Sequence, residues 1–417
     1  MLKFSLRAVR VASLLALGGA LLPAHATDGY FPHGFGLKSK GMGGAATAMA
    51  QDGFAGANNP AASAFAGNRL EIGADVFMPD REMSRTGTGG MLDTRVRSGA
   101  RSFLVPEAGY NNAMSDTLSW GVTVFGNGGM NTTYPGGQLN CGYGPANALC
   151  GQGKLGVDLM QLVVAPTLAY KLNPQHSIGV SPLLVFQMFK ASGLEGFAPM
   201  SVNPANLSGS GYDTSQGMGL RLGYMGQLSD TVTVGASYSP KISMSRLKHY
   251  AGLFADQGKF DIPANATLGI AVKATPSLTV AADYQRIDYA GVNAIGNSSM
   301  AGPLGGTPGG GFGWRNVDVL KLGVQWQMSP AWTLRAGYNH SDNPVSGAHI
   351  TPNILAPGVM TSHYTLGGTY ALSPSSELTW AFMIAPRVTV TGRSMLAGTE
   401  TVSMRQSSLG LQWGMKF

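Results

Sequence analysis

The sequence predicts an all-β fold, a transmembrane antiparallel β-barrel of about 14 strands with an N-terminal plug (a hatch) inside its lumen. Three observations predict it. Only 12% of the residues are charged, although the mean hydropathy is just +0.05. Short turns recur along the chain and are followed by strands in which apolar and polar residues alternate. The chain ends in one more alternating segment, whose last residue is Phe417.

The composition favours a barrel over the other membrane and soluble classes. Ordinary soluble domains contain about 25% charged residues, and the 60 glycines here are about twice the usual share. A helical membrane protein would contain stretches of roughly 18 or more apolar residues, and this sequence contains none. Barrel strands alternate lipid-facing apolar with lumen-facing polar residues, so their hydropathy averages to near zero.

The N-terminus has the pattern of a secretory signal. Three basic residues lie within the first ten, an apolar run extends from Val11 to Leu22, and Ala24-His25-Ala26 follows. The run of about 12 apolar residues is shorter than the roughly 20 that a spanning helix needs. We therefore predict a signal peptide over 1–26, cleaved after Ala26. Its removal lowers the formal charge from +7 to +4, and export argues further against a nucleic-acid partner.

Six short turns divide the remaining chain into hairpins. The strand after each turn alternates, as residues 332–339 do, which places every second side chain on one face of a sheet. Twelve strands flank these turns, and one further strand at each end raises the number to 14. The turns are Ser115-Asp116, Asn173-Pro174, Ser229-Asp230, Thr275-Pro276, Ser329-Pro330 and Ser373-Pro374.

A soluble β-sandwich would also alternate, but two features favour a membrane barrel. Aromatic residues such as Trp120, Tyr170 and Trp332 cluster beside the short turns, as they do in interfacial girdles. The connections at the other strand ends are long, which is the asymmetry of outer-membrane barrels. The terminal Phe417 resembles the signal read by the outer-membrane barrel assembly machinery. We therefore expect that machinery, together with lipid and lipopolysaccharide of the bacterial outer membrane, among the partners of a monomeric barrel over 69–417.

Residues 27–68 do not alternate, and we predict that they form the hatch. A barrel of this size encloses more space than its wall side chains fill. The segment is low in charge and rich in Ala, Gly, Met and Phe, which is not the composition of a disordered tail.

The hatch contains a motif that resembles a known family. Gly41-Met42-Gly43-Gly44-Ala45-Ala46 followed by Asn59-Pro60-Ala61 is similar to the hatch of the FadL-type long-chain fatty acid transporters, a family that includes aromatic-hydrocarbon uptake proteins. Residues 120–130 and 353–359 resemble the same family. The resemblance covers the mature chain and implies a 14-stranded barrel with a hatch. It also implies passive uptake of a hydrophobic small molecule, either a fatty acid or an aromatic hydrocarbon.

A glycine-rich stretch, Phe125-Gly126-Asn127-Gly128-Gly129, interrupts the predicted third strand. Gly-rich breaks mark bulges, where the hydrogen-bond ladder fails. The resemblance implies that a kink here opens a lateral route from the lumen to the bilayer. The alternative is a turn that begins the next loop.

Two sets of residues are candidates for contact with the cargo. Four aromatic residues could line an apolar pocket in or beside the hatch, or equally form its packing core; they are Tyr30, Phe31, Phe35 and Phe54. Three cations with lumen-facing parity could bind a carboxylate, or pair with lumen acids such as Asp283 and Glu377 and fix the hatch; they are Arg221, Lys321 and Arg335. Cations of the outer loops face lipopolysaccharide or solvent; they are Lys154, Lys190, Arg246 and Lys248.

Cys141 and Cys150 lie in one Gly-rich stretch, and in an exported chain such a pair predicts a disulfide that closes a small loop. Metal binding is the alternative, but two thiols without an intervening His make a poor site. The sequence contains no Gly-x-Ser-x-Gly, His-Glu-x-x-His or phosphate-loop motif, so we expect no enzyme, metal or cofactor. The alternative function is a general porin or an adhesin-type barrel, although a porin needs no hatch and an adhesin would have longer loops.

Overall fold

The fold is a closed barrel of fourteen antiparallel strands. The computed structural model describes residues 28–417, so the predicted signal peptide lies outside the described residues. Each barrel strand pairs with its neighbour in chain order, and β14 pairs with β1 from Arg69↔Lys416 to Thr86↔Thr399. The predicted strand number is therefore confirmed. The strands are β1 (Arg69–Thr86), β2 (Phe103–Ala113), β3 (Leu118–Asn131), β4 (Gly156–Lys171), β5 (His176–Ser192), β6 (Asp213–Gln227), β7 (Val232–Ser239), β8 (Asn265–Thr275), β9 (Leu278–Ile287), β10 (Val317–Gln327), β11 (Trp332–Ser341), β12 (Ser362–Ser373), β13 (Ser376–Arg393) and β14 (Thr399–Lys416).

The six short turns form where the sequence predicts them. In each one, the side-chain oxygen of the first residue accepts a hydrogen bond from a backbone N–H two or three residues later. Ser115 Oγ, for example, accepts from Leu118 at 3.0 Å, and Asn173 Oδ1 accepts from His176 at 2.8 Å. Short polar side chains close turns in this way. The other four turns repeat the bond from Ser229, Thr275, Ser329 and Ser373.

Alternation along the strands separates a lipid-facing surface from a lumen-facing one. On β14, Leu411 is 58% exposed and Gln412 is 2% exposed. Trp332, Tyr370 and Trp413 are also exposed on the outer face, beside the short turns. No helix among residues 28–417 is long and apolar enough to cross a membrane.

Residues 28–68 lie inside the barrel and fill it as a plug. They contain only short helices, α1 (Leu37–Lys40), α2 (Ala55–Asn58) and a 3₁₀ helix (Pro60–Phe65). Buried ion pairs join the hatch to the wall: Lys38 Nζ lies 2.5 Å from Glu377 Oε1, and Lys40 Nζ lies 2.9 Å from Glu107 Oε2 and 3.5 Å from Asp75 Oδ2. Because these charges are buried, loss of either lysine would remove compensation from buried carboxylates of the wall.

The hatch and the wall also meet through glycines. A Cβ added at Gly337 of β11 would lie 2.1 Å from the backbone N of Gly43, and one added at Gly367 of β12 would lie 3.0 Å from Gly41 Cα. Gly44 has a φ of +86°, and its Cβ would lie 1.7 Å from the carbonyl oxygen of His33. The backbones therefore approach more closely than any side chain would permit.

The two cysteines form a disulfide, as predicted. Cys141 and Cys150 lie with their Cα atoms 5.7 Å apart in the outer loop between β3 and β4. The pair Leu139–Asn140 and Pro145–Ala146 forms a small hairpin in the same loop.

We predict that Gly337→Val displaces the hatch while the wall still folds, because the new side chain would overlap the backbone of Met42 and Gly43. The variant should conduct ions more readily than the native protein in planar bilayers. Ala336→Val is the matched control, since Ala336 is exposed on the lipid-facing side of the same strand. Equal conductance in the two variants, with both barrels folded, would contradict close glycine packing as the seal.

Candidate functional site

An apolar cavity lies among the outer loops. Its volume is about 70 Å³, several times the roughly 10–15 Å³ that holds one water molecule. Six of the seven outer connections contribute to it, and Ser299 supplies its one polar side chain. Apolar cavities of this kind stay dry and accept apolar ligands. The lining residues include Leu149, Phe189, Leu194, Phe197, Met200, Leu253, Phe254, Leu304, Phe312, Leu355 and Met395.

A column of aromatic rings leads from this cavity towards the hatch. Phe189 and Phe254 line the cavity, with ring centroids 4.7 Å apart. Phe254 packs on Phe260 at 4.8 Å, and Phe260 lies 6.1 Å from Tyr30. Tyr30 is followed by Phe31 at 5.4 Å. The rings therefore form a continuous apolar path from the outer loops to the start of the hatch.

Tyr289, in the loop after β9, fixes this end of the hatch. Its hydroxyl accepts hydrogen bonds from the backbone N–H groups of Tyr30, at 3.0 Å, and Phe31, at 3.3 Å, and donates to the carbonyl oxygen of Asp28. Burial raises the pKa of the Tyr289 phenol well above its ordinary range. The phenol therefore keeps its proton, and the donated bond, throughout the physiological pH range.

A second, smaller cavity of about 20 Å³ lies where the aromatic column reaches the wall. Phe31 of the hatch and Phe125 of β3 line it, together with Arg221 of β6. Phe35 stacks against Phe125 at 4.2 Å, and Arg221 lies 5.4 Å above the Phe35 ring. This cavity therefore borders the glycine-rich stretch of β3.

The pairing between neighbouring wall strands changes at that stretch. The ladder between β2 and β3 runs from Ala113↔Ser119 only as far as Ala108↔Val124. Above this point, residues 103–107 pair with β1 alone and residues 125–131 pair with β4 alone. Pro106, which has no N–H to donate, lies in the part of β2 that does not pair with β3. A Cβ added at Gly126 would lie 3.2 Å from Cγ1 of Val105. The Val105 side chain therefore fills the space between the two strands.

β3 contains a β-bulge in the glycine-rich stretch and does not end there. The register of β3 against β4 shifts between Asn127 and Gly129, and Gly128 has a φ of +75°. Asn127 Nδ2 donates to Gln161 Oε1 at 2.9 Å beside it. The strand continues to Asn131, so the stretch does not form the turn considered as the alternative.

The opposite end of the lumen is polar. A cavity of about 450 Å³ lies between the hatch and the short-turn end of the barrel. Lys38, Arg69, Arg335 and Glu377 line it, with several Gln and Thr side chains. An apolar molecule therefore meets an apolar outer cavity and a charged inner one.

The candidate ligand residues separate into two groups. Phe31 and Arg221 line the second cavity, and Tyr30 and Phe35 lie in contact with rings of the column or its end. Phe54, in contrast, is fully buried against Gly36 and belongs to the packing of the hatch.

The three candidate cations all lie at buried lumen positions, as their parity predicts. Arg221 Nη1 donates to the Ala57 carbonyl, and Lys321 Nζ donates to the His33 carbonyl at 2.8 Å, so both bind the hatch backbone. Arg335 donates to Gln325 at 2.9 Å and lines the polar cavity. Among the outer-loop cations, Lys190 lies over the Tyr212 ring, 3.8 Å from Asp158.

The Asn59-Pro60-Ala61 segment anchors the hatch to β5 and β6. Asn59 Nδ2 donates to the carbonyl oxygens of Thr47, at 2.8 Å, and Tyr224, at 2.9 Å, while its Oδ1 accepts from Ala61 at 3.1 Å. One side chain thus joins two hatch segments and the wall.

Sequence reasoning missed the outer cavity and most of the aromatic column. Phe189 lies on β5, Phe254 in the loop after β7, and Tyr289 in the loop after β9, and their separation along the chain gives no spacing signal. The only sequence cue was the presence of bulky apolar residues in loops of a barrel, which would otherwise be polar. The described residues contain no cluster of three His, Cys, Asp or Glu side chains placed to hold a metal ion.

The comparisons with known proteins agree with this architecture. The family model described as "Outer membrane protein transport protein (OMPP1/FadL/TodX)" matches residues 31–408. The chain belongs to this family. Membership and the fourteen-stranded fold locate this family member in the bacterial outer membrane. A comparison with curated protein sequences finds no significant match.

Three solved structures illustrate the similarity of fold. The toluene transporter TodX of Pseudomonas putida is 21% identical with a TM-score of 0.69, over 94% of this chain and 100% of that one. The toluene transporter TbuX of Ralstonia pickettii is 20% identical, TM-score 0.65, over 92% and 99%. A FadL homologue of Pseudomonas aeruginosa is 17% identical, TM-score 0.69, over 93% and 100%. At these identities the likeness concerns the fold.

We predict that Asn59→Ala loosens the hatch, because it removes three hydrogen bonds, two of them to buried carbonyl oxygens, at a cost of about 1–3 kcal/mol for each oxygen left unpaired. Hydrogen–deuterium exchange of residues 28–68 should accelerate while exchange of the wall strands stays as in the native protein. Asn112→Ala is the control, since Asn112 makes its one side-chain bond, 3.4 Å long, to Asn68. Unchanged exchange in the hatch would show that Asn59 is not its anchor.

Proposed function

We propose that this family member is a passive channel for hydrophobic molecules, either aromatic hydrocarbons or long-chain fatty acids. Cargo enters the outer cavity, moves along the aromatic column past Phe31, and leaves sideways into the bilayer beside Phe125–Gly129. The observation that carries the proposal is the change in cavity lining along the barrel. The outer cavity and the second cavity, which reaches the level where β2 and β3 do not pair, are mainly apolar, and the inner cavity below them is polar. Two proteins of similar structure, TodX and TbuX, are toluene transporters, which supports a hydrocarbon cargo.

The energetics favour a lateral exit over passage through the lumen. Moving an apolar molecule into the polar inner cavity costs about 0.8 kcal/mol for each CH₂ group that becomes hydrated. A cargo that passes from the second cavity into the hydrocarbon of the membrane avoids this cost. The wall beside that cavity lacks a continuous backbone ladder, so opening it requires movement of side chains such as Val105 rather than rupture of many hydrogen bonds.

A general porin is disfavoured by the hatch. Its segments are bonded to the wall by buried ion pairs, carbonyl contacts and glycine packing, and an open porin has no need of such a fixed plug. No catalytic role is proposed, since the polar groups beside the cavities are engaged in holding the hatch and the loops.

The lateral exit is tested by deletion of Gly128, the extra residue of the bulge. The deletion leaves the pairs of β3 with β4 in one register and should extend the ladder with β2. Uptake of radiolabelled toluene and of oleate is measured in cells that lack their own transporter. We expect the native chain to accelerate one of them and the deletion variant to fall to the rate of empty cells.

The control is deletion of Gly137, another glycine with positive φ, which lies in the outer loop where an added Cβ would touch nothing within 4 Å. That variant should transport as the native chain does. If deletion of Gly128 yields a folded barrel with undiminished uptake, the lateral route is wrong. If neither substrate moves faster than in empty cells, the hydrophobic-channel proposal itself is wrong.

The outer cavity is tested by Phe197→Asp. Phe197 is only partly buried, so the loops should tolerate the change, but a carboxylate on the apolar lining should weaken binding of toluene or oleate by about tenfold or more. Titration of the purified protein with each ligand measures the affinity. Phe197→Leu keeps the surface apolar and should bind nearly as well. Equal losses in both variants would mean that ring shape, rather than an apolar lining, determines binding.

A further inference from the structure

The outer rim of the wall carries a charged groove on its membrane side. Its volume is about 750 Å³, and it extends over the upper ends of β1, β13 and β14 and the short strand Thr94–Arg97, which pairs with β1. We name it the rim groove and define it by Arg95, Arg97 and Arg387 with the hydroxyl residues Ser84, Thr389, Thr401 and Ser403, which line it, and by Arg405, which binds the same acid as Arg387. All four arginine side chains are between 33% and 72% exposed.

Two carboxylates hold the arginines in pairs. Glu82 accepts from Arg95 and Arg97, each at 2.7 Å. Asp80 accepts from Arg387 at 2.8 Å and from Arg405 at 3.0 Å. Each acid therefore positions two guanidinium groups and neutralises the charge of one.

The groove keeps both unused donors and excess positive charge. Arg97 and Arg405 bind their acids through Nε, and no hydrogen bond among the described residues uses their terminal Nη groups. Asp93 adds a third acid at the edge of the groove, where it binds Thr88. Arg393, exposed at the end of β13, adds a fifth cation nearby. Five cations and three acids leave this face positive.

The groove lies at the depth of the lipid headgroups. The same outward faces are apolar lower down, where Met78 is 38% exposed, Ile384 45% and Leu409 50%. Asp80 and Ser84 lie eight and twelve residues beyond Ile72, the start of that apolar band on β1. At about 3.3 Å per residue and a tilt of about 40°, these distances are about 20 and 30 Å along the membrane normal, so the groove extends across the upper edge of an apolar band about 25 Å tall. A bound lipid would lay its chains on the apolar band and its headgroup in the groove.

We propose that the rim groove binds the phosphorylated sugar headgroup of lipopolysaccharide, the glycolipid of the outer leaflet. Arginine suits phosphate because its planar fork donates to two oxygens at once. The row of Ser and Thr hydroxyls between the two arginine pairs provides the donors and acceptors that sugar hydroxyls require. The proposal is independent of the cargo and of the lateral exit.

The test measures lipid A retained by the membrane-extracted, full-length protein. Native mass spectrometry should detect one lipid A-bearing adduct per native barrel. Arg387→Gln/Arg405→Gln and Arg95→Gln/Arg97→Gln should each bind added lipid A at least about tenfold more weakly, since two headgroup cations are lost. A third variant, Arg95→Gln/Arg97→Gln/Glu82→Gln, removes Glu82 together with the two arginines that it binds. It should also bind lipid A more weakly, which would show that the loss does not come from an unpaired carboxylate.

Arg286→Gln is the matched control. Arg286 is also a half-exposed arginine at the outer end of the wall, where it binds Asp318 at 2.9 Å, but it belongs to a single neutral pair on β9 and β10. It should bind lipid A as the native protein does. Equal loss in this control, equal binding of phosphatidylglycerol or of dephosphorylated lipid A, or absence of a stoichiometric adduct would each overturn the proposal. Binding of inorganic phosphate alone at the same affinity would also overturn it, since the sugar would then contribute nothing.

Discussion

Satisfaction of backbone hydrogen bonds inside the membrane is the constraint on which this structure depends. A strand in hydrocarbon has no water to bond with its free N–H and C=O groups, so a sheet that spans the membrane must close on itself. Here closure is made by the long ladder between β1 and β14, which extends over the whole length of both strands. Closure permits only local gaps in the hydrogen-bond ladder. One such gap in the described wall lies between β2 and β3, where Pro106 has no N–H to donate and the Val105 side chain covers Gly126.

Closure of fourteen strands creates the need for the hatch. The lumen is too wide for wall side chains to fill, and an unfilled lumen would admit water. The hatch fills it with little regular structure of its own, so its backbone groups must find partners on the wall. Asp283, Arg221 and Lys321 provide such partners, and Asp283 alone accepts from the N–H groups of Ala46 and Thr47. The polar lumen face that alternation produces is therefore also the surface that binds the hatch.

The fold could be predicted from the sequence because local rules determine it. Each short turn is closed by its own first side chain, and each strand shows its two faces by alternation, so Ser115 or Leu411 can be interpreted without knowledge of the rest. The candidate site could be predicted only in part. Phe31 and Arg221 were named, but the pocket between them depends on Ile242 and Ile262 from another loop. The outer cavity depends on six loops that meet only after the barrel closes, and no periodicity connects Phe189 with Phe312.

The distribution of polarity along the barrel connects these points to transport. The loops bury apolar side chains at the end that faces the outside, and the apolar cavity among them lacks packing contacts until a ligand fills it. Charge lies at the opposite end, in Lys38 of the hatch and in Arg69 and Glu377 of the wall. An apolar solute therefore has favourable surroundings only down to the level of Phe125. β2 and β3 do not pair at that level, so the gap in the backbone ladder coincides with the end of the apolar path. That coincidence is what the proposed lateral delivery of apolar molecules into the membrane requires, and neither an open pore nor a purely structural barrel has need of it.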